Sequence, residues 1–404
     1  MKIIQVNTGT FPAPSGGGGG VEDTVHHLSS ALAELGHDVS VIDIPDPNRA
    51  AAPYRAIEVE PTWKRDDGLL RHVLRGLSFQ NGVRAKLREL LTAERYDVVH
   101  FHSQIGTPWS ISLVKSHGVL AVYNSHSATW CDAQACSSPW VRATFAFELL
   151  CFRWCDGLIT DSDHITQNLV RHLGMFSEKV LTVPIGLPHH WFQARPVSAE
   201  ERQRYVRPGE KLILNVARVA PYKNQLALVQ AMALVSKEAP EARLVLAGPL
   251  SDERYLGQVR RAIDALGLEA KVRLAGRVSP DEHRLLFALA DLFVLPSLAE
   301  SQGLSALEAM AMGKPVVASA IGPLEALLQD GAGVTVPPTD PEALANAILG
   351  LLREPQLAQS FAEKARRRAL EYRWETIAGA MVDVYQRFLS ASRGRHLVPA
   401  SLGR

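Results

Sequence analysis

Glu300 and Glu308, in the stretch LFVLPSLAESQGLSALEAMAMGKPVVAS (292–319), are the side chains best suited to chemistry on a shared ligand. The apolar run before Pro296 reads as a short buried strand, and Ala306, Leu307, Ala309 and Met310 have the spacing of a buried helix. Glu300 then falls in the loop and Glu308 in the first turns of the helix. Gly303 lets backbone approach a ligand closely, and a helix start offers unpaired N–H groups with about half a positive charge, which suits a phosphate. Carboxylates would repel a phosphate, so their expected task is to accept hydrogen bonds from neutral hydroxyls, as on a ribose or a sugar. The plainer alternative is a loop-ending Glu300 and a surface ion pair at Glu308. Against it, Glu308 lies among Ala, Leu and Met, and glutamate is seldom buried without a partner.

Other candidates lie where strands end. Arg218 and Lys223, in ARVAPYKN after the strand LILNVA, are close enough in sequence for both heads to converge, although loop cations are usually solvated. His102 and His126 follow the apolar runs YDVVHF and VLAVYNS, and ligands of open parallel sheets bind beyond the carboxyl ends of strands. A lone histidine is usually structural; two at strand ends are less easily dismissed. Asp161-Ser162-Asp163 has the form of a metal-binding Asp-x-Asp, but it directly precedes a helical pattern and is read as an N-cap. The run 16–20, five glycines between a strand and a helix, suits close approach to a phosphate or an acceptor; Val21 stands where a dinucleotide fingerprint needs its third glycine, so a nicotinamide cofactor is not expected.

The elements that must position these residues are repeated strand and helix pairs in both halves. The 404 residues exceed one ordinary domain, and 47% hydrophobic with 21% charged residues is a globular composition. The expected class is α/β, with two Rossmann-like domains over 1–186 and 187–373, a helix over 374–390 and a disordered tail over 391–404. A net charge of +1 gives no reason to expect nucleic acid. The chain opens with a strand, MKIIQVN, and has no 18-residue apolar run, so a cytoplasmic location is expected. Cys131, Cys136, Cys151 and Cys155 fall within 25 residues without a Cys-x2-Cys pair and are read as ordinary thiols rather than a zinc site. In residues 64–95, Arg71, Arg75, Arg84, Lys86 and Arg88 alternate with leucines, as on a helix resting on an anionic membrane or on the solvated face of a core helix.

The strand, the Glu-x7-Glu spacing and the following GKPVVAS resemble the donor site of retaining, nucleotide-sugar-dependent glycosyltransferases of the GT-B fold, glycosyltransferase family four. The resemblance extends over nearly the whole chain and implies two Rossmann-like domains facing across a deep cleft, with the last helix crossing back to the first domain. It implies that Arg218 and Lys223 grip the donor diphosphate in place of a metal, that Glu308 holds the ribose, and that Glu300 and His126 hold the sugar. It places Gly18, Gly19, Gly276, Arg277, Val278, Gln302, Gly303, Leu304 and Ser305 around the donor, and Gly17, Glu22 and His102 on the acceptor side. The sequence departs from the pattern at Ile185, where relatives have Asn, and at Gln302, where they carry a bulky apolar residue. The implied activity is sugar transfer from a nucleoside-diphosphate sugar to a saccharide, lipid-linked or small-molecule acceptor, without cofactor or metal. A nucleotide-sugar 2-epimerase of the same fold and a non-catalytic nucleotide-sugar sensor are the alternatives.

Overall fold

The computed structural model describes residues 1–15, 20–62, 69–126, 139–175, 177–250 and 252–396. The chain divides into two compact units, Met1–Gly186 with Trp374–Arg404, and Leu187–Arg373.

The first unit is built on β1 (Lys2–Val6), β2 (Asp38–Asp43), β3 (Arg55–Glu58), β4 (Val98–Phe101), β5 (Leu120–Ser125), β6 (Gly157–Thr160) and β7 (Val180–Thr182). They pair in the order β3-β2-β1-β4-β5-β6-β7, every pair parallel. Its helices are α1 (Gly20–Glu34), α2 (Leu69–Ala93), α3 (Thr107–Ser116), α4 (Pro139–Trp154) and α5 (Asp163–Leu173). Continuous apolar runs suit a sheet covered on both faces. Alternate residues therefore enter different cores: Ile3, Val39, Val41, Val98 and Val122 pack with α1, while Ile4, Val6, Ile42, Val99 and Tyr123 pack toward α2, α3 and α4.

The second unit opens with a 3-10 turn (His189–Phe192) and the short α6 (Ala199–Gln203) and holds β8 (Lys211–Val216), β9 (Ala242–Ala247), β10 (Val272–Gly276), β11 (Leu292–Leu295), β12 (Val316–Ser319) and β13 (Val334–Val336). Their order is β10-β9-β8-β11-β12-β13, again parallel. Around them lie α7 (Gln225–Glu238), α8 (Glu253–Ala265), α9 (Pro280–Leu289), α10 (Leu304–Ala311), α11 (Gly322–Leu327), α12 (Pro341–Arg353) and α13 (Pro355–Ala369). In both sheets the order reverses beside the first strand, which is where an open α/β sheet places its ligand crevice.

The last helix, α14 (Trp374–His396), belongs to the first unit and packs on α1. Its aromatic rings occupy space that side chains elsewhere would fill: a Cβ added at Gly157 would lie 2.3 Å from Phe388. Residues 391–396 continue this helix rather than beginning a tail, and 397–404 lie outside the described residues. Among the described residues no helix is long and apolar enough to cross a membrane. Of the stretch 64–95, residues 69–93 form α2, in which Arg75 donates to the carbonyls of Gly9 and Thr10 and Lys86 pairs with Glu89 at 2.8 Å, while 64–68 lie outside the described residues.

Candidate active site

In the second unit three loops at the carboxyl ends of β8, β11 and β13 are tied by one residue. Asn224 adopts a left-handed backbone, φ 55°, and its side-chain amide donates to the carbonyls of Pro296 at 3.1 Å and Pro338 at 2.8 Å. The buried Gln225 donates to the carbonyl of Arg218 at 3.0 Å, which sets the loop carrying that exposed guanidinium. The loop after β8 is thus fixed against the loop after β11. Lys223 Nζ donates to Glu300 Oε1 at 2.6 Å, with the two side chains 17% and 9% exposed. Ser297 donates to the same oxygen at 2.7 Å, leaving Oε2 without a protein hydrogen bond among the described residues.

Next to this pair begins α10. Gly303 holds the position before the helix at φ 88°, and a Cβ there would lie 2.5 Å from Leu324. The Gly303 carbonyl accepts from the amides of Ala306 and Leu307, so the amides of Leu304 and Ser305 lie ahead of the helix's own hydrogen bonds. No side chain caps them. Glu308, in the second turn, is 16% exposed and lies 3.4 Å from His283 Nε2. This is an ion-pair approach rather than an aligned hydrogen bond, since that nitrogen has no hydrogen-bond partner. Burial works against a charged His283, but the Glu308 carboxylate outweighs it and raises the imidazole above its ordinary range. The His283 ring is T-shaped against the buried Trp191.

Gly276 ends β10 in a left-handed conformation, its carbonyl accepting from the amide of Gly248 at 2.8 Å. Arg277 is exposed, Val278 packs against the apolar core, and Gln302 is buried.

In the first unit a cavity of about 250 Å³ is lined by Thr8, Arg75, Gln104, Asn124, His102 and His126, among others. The loop after β1 that supplies Thr8 is stapled by Asp43, which accepts from Asn7 at 2.6 Å and from the Ala13 amide at 2.8 Å and pairs with Arg49 at 2.8 Å. Glu22 is buried and accepts from the Thr8 hydroxyl, so it acts on the cavity through Thr8. His102 Nδ1 lies 2.8 Å from His126 Nε2, and His126 Nδ1 lies 3.3 Å from Asp161. His102 Nε2 meets Gln5 at 2.8 Å; Gln5 and His100 both reach the hydroxyl of Tyr385 on α14. Burial, and then its histidine neighbours, hold His102 well below its ordinary pKa; burial and His126 bring His100 down to about 3. Behind the cavity Glu148 is buried and accepts from Ser125 at 2.8 Å, and burial pushes its carboxyl up to about 7.

Gly17, Gly18 and Gly19 lie outside the described residues, as do Cys131 and Cys136. Cys151 and Cys155 are buried free thiols. Ser162 caps α5, accepting from the Ile165 amide, but Asp161 is turned away from that cap toward His126 and Asn124, so the capping role does not extend to it. Glu148, Ser297 and His283 were not singled out from sequence, and Asp161 was read there only as part of an N-cap, not as a partner of His126. Among the described residues no group of three or more His, Cys, Asp and Glu is arranged to hold a metal ion.

Two parallel Rossmann-like sheets, with anion-suited and hydroxyl-suited groups at their carboxyl ends, define the GT-B architecture. Residues 197–368 match the family profile described as glycosyl transferases group 1, and 19–186 match the glycosyl transferase 4-like domain. A D-inositol 3-phosphate glycosyltransferase of Kineococcus radiotolerans is 30% identical, covering 98% of this chain and 97% of its own. Sucrose-phosphate synthase from Thermosynechococcus elongatus superposes with a TM-score of 0.78 at 25% identity, covering 97% of this chain and all of its own. The Anabaena protein HepE, solved with UDP-glucose, superposes at 0.71 and 20% identity over 96% of this chain and 99% of its own. The chain belongs to the group 1, family-four type of glycosyltransferases.

Proposed function

We propose that this glycosyltransferase moves a sugar from a nucleoside-diphosphate sugar to a hydroxyl of its acceptor, with retention of configuration and without a metal ion. The observation that carries the reading is the Lys223–Glu300 pair at 2.6 Å beside the uncapped start of α10. An ammonium has three protons and spends one on Glu300, so two remain for a diphosphate. Arg218, Lys223 and the amides of Leu304 and Ser305 stabilise the charge that grows on the diphosphate as the bond from the sugar carbon to the phosphate oxygen breaks. The electron pair stays on that oxygen. The acceptor oxygen bonds to the sugar carbon on the same face, and its proton passes to the departing phosphate. Glu308 holds the ribose, Glu300 Oε2 and His126 hold the sugar, and the backbone at Gly276, Arg277 and Val278 holds the base. The acceptor is a hydroxyl-bearing molecule taken by the cavity of the first unit, whose volume is near the small end of ligand pockets, roughly 300–1,000 Å³. HepE's UDP-glucose supports the donor class, and the inositol phosphate named for the Kineococcus enzyme supports a small polyhydroxyl acceptor.

The test is thermal stability against uridine, guanosine, adenosine and thymidine diphosphates, with and without chelator, on wild type and Glu308→Ala. A ligand at 100 times its Kd adds about 2.7 kcal/mol. One diphosphate should stabilise wild type regardless of chelator and lose its effect in the variant. No shift at millimolar concentrations with any of them overturns the donor site. Retention is read separately, from the anomeric configuration of the product by NMR.

A further inference from the structure

We propose that Asp161 and His102 are positioning residues for His126: Asp161 selects the proton-bearing nitrogen of the His126 ring, and His102 holds the opposite edge of that ring. The inference rests on the reading that His126 serves the sugar-transfer site.

The His126 ring is 9% exposed on the cavity wall and its Nδ1 has two neighbours that make opposite demands. Asp161 Oδ2, at 3.3 Å, can only accept, so it calls for a proton on Nδ1. Asn124 Nδ2, at 3.2 Å, can only donate, so it calls for a bare Nδ1. The carboxylate prevails. Its bond is charge-assisted, and the Asn124 amide already donates to Asp161 Oδ1 at 3.0 Å. Asp161 is 1% exposed, so no water competes for it.

With the proton on Nδ1, a neutral His126 presents a bare Nε2, and the 2.8 Å contact to His102 Nδ1 must carry a proton from His102. His102 Nε2 is then bare, which requires the Gln5 amide, whose oxygen lies 2.8 Å from that nitrogen and whose nitrogen lies 3.1 Å from the Tyr385 hydroxyl, to turn over, so that its N–H donates to Nε2 and its oxygen accepts from Tyr385. The Asp161–His126, His126–His102 and His102–Gln5 contacts then each have one donor and one acceptor, while Asn124 donates to Asp161 instead of His126, and both rings are held at both edges. The rings stack at 5.2 Å, which leaves His126 little room to rotate. A histidine that meets a substrate in one state only must have its tautomer set by the partner of its other nitrogen. Here that partner is Asp161, supplied from the end of β6.

Charged and titratable groups around His126 come from every side: Asp161 after β6, His100 and His102 at β4, Glu148 on α4, and Arg75 of α2 on the same cavity wall. A direct look at the ring nitrogens therefore decides better than an activity profile alone. In nitrogen-15 NMR of the full chain at pH 8, His126 and His102 should both appear as Nδ1–H tautomers. Asp161→Asn puts a donor where the carboxylate stood, so both rings should switch to Nε2–H. Turnover should fall about tenfold or more across the pH range, by analogy with the loss from a wrong histidine tautomer elsewhere, while Asp161→Glu restores part of it. A wild-type His126 carrying its proton on Nε2 overturns the proposal even if no variant folds. Unchanged tautomers in Asp161→Asn also overturn it. A tautomer switch with unchanged turnover keeps the Asp161–His126 relationship and overturns the role of His126 in transfer.

Discussion

The Lys223 ammonium meets the Glu300 carboxylate at 2.6 Å, across 77 positions of sequence, in a place where water has limited access. The two groups expected to grip different parts of one donor are therefore partners of each other. Removing either leaves the other poorly solvated. Lys223→Ala and Glu300→Ala should each cost about 1–3 kcal/mol in urea unfolding, and the double variant should show a coupling energy of about 0.5–3 kcal/mol. Lys223→Ala and Arg218→Ala should each lower turnover about 100-fold. Strict additivity in the cycle, or full turnover in both variants, contradicts these roles.

Gly303 and Gly248 should not tolerate alanine equally. At Gly303, φ 88°, the new Cβ would press on the movable Leu324 side chain, at a cost of about 1–3 kcal/mol. At Gly248, φ 138°, it would lie 2.1 Å from the Ala217 carbonyl oxygen, which is backbone and cannot rotate away. Gly248→Ala should therefore be the more destabilising in chemical denaturation. The reverse order would mean that the loop after β8 yields more readily than the α10–α11 contact.

Acid should act on the first unit through opposing groups. His100 and His102 have folded pKa values below the ordinary 6.5, so their contribution is complete above pH 6.5 and is lost as pH falls. Glu148, raised from 4.5 to about 7, behaves oppositely: its contribution is complete below 4.5 and is lost as pH rises through 7. Each group is worth about 1.4 kcal/mol per pH unit inside its window, so Glu148 offsets one histidine between pH 4.5 and 6.5. Glu148→Gln should steepen the acid loss of stability by that amount. Parallel curves for wild type and variant contradict a protonated Glu148.

The Glu308–His283 approach adds a smaller, opposite slope in the second unit. The folded pKa of His283 is raised above 6.5, so its stabilisation is present below 6.5 and disappears as pH rises through the folded value. Partial exposure limits the effect to about 1 kcal/mol or less. Denaturant melts of His283→Gln between pH 6 and 8 should lack this slope, and an unchanged slope assigns it to another group.

Much of the fold was legible from local pattern. The strand, loop, helix and strand read in 292–319 are β11, α10 and β12, because apolar runs closed by Pro296 and Gly313 allow little else. Boundaries were less so. The final helix continues past 390 because Tyr385 and Phe388 are buried against β1, β4 and β6, which anchors turns that composition alone left unmarked.

Polar contacts were legible only where they are local. Ser162 was readable as a cap because its partner lies three residues on, whereas its neighbour Asp161 belongs to His126, 35 positions away on the next strand. Gln5 meets Tyr385 across 380 positions. The sequence by itself determined the α/β class and the strand ends where functional groups gather, since apolar periodicity reports local conformation and burial, and its Glu-x7-Glu and GKPVVAS motifs carried the resemblance to the glycosyltransferase family. Which carboxylate, imidazole or ammonium each group would face was decided by strand order and by the return of α14. Those set neighbours through space, and nothing in the spacing of a single chain segment encodes them.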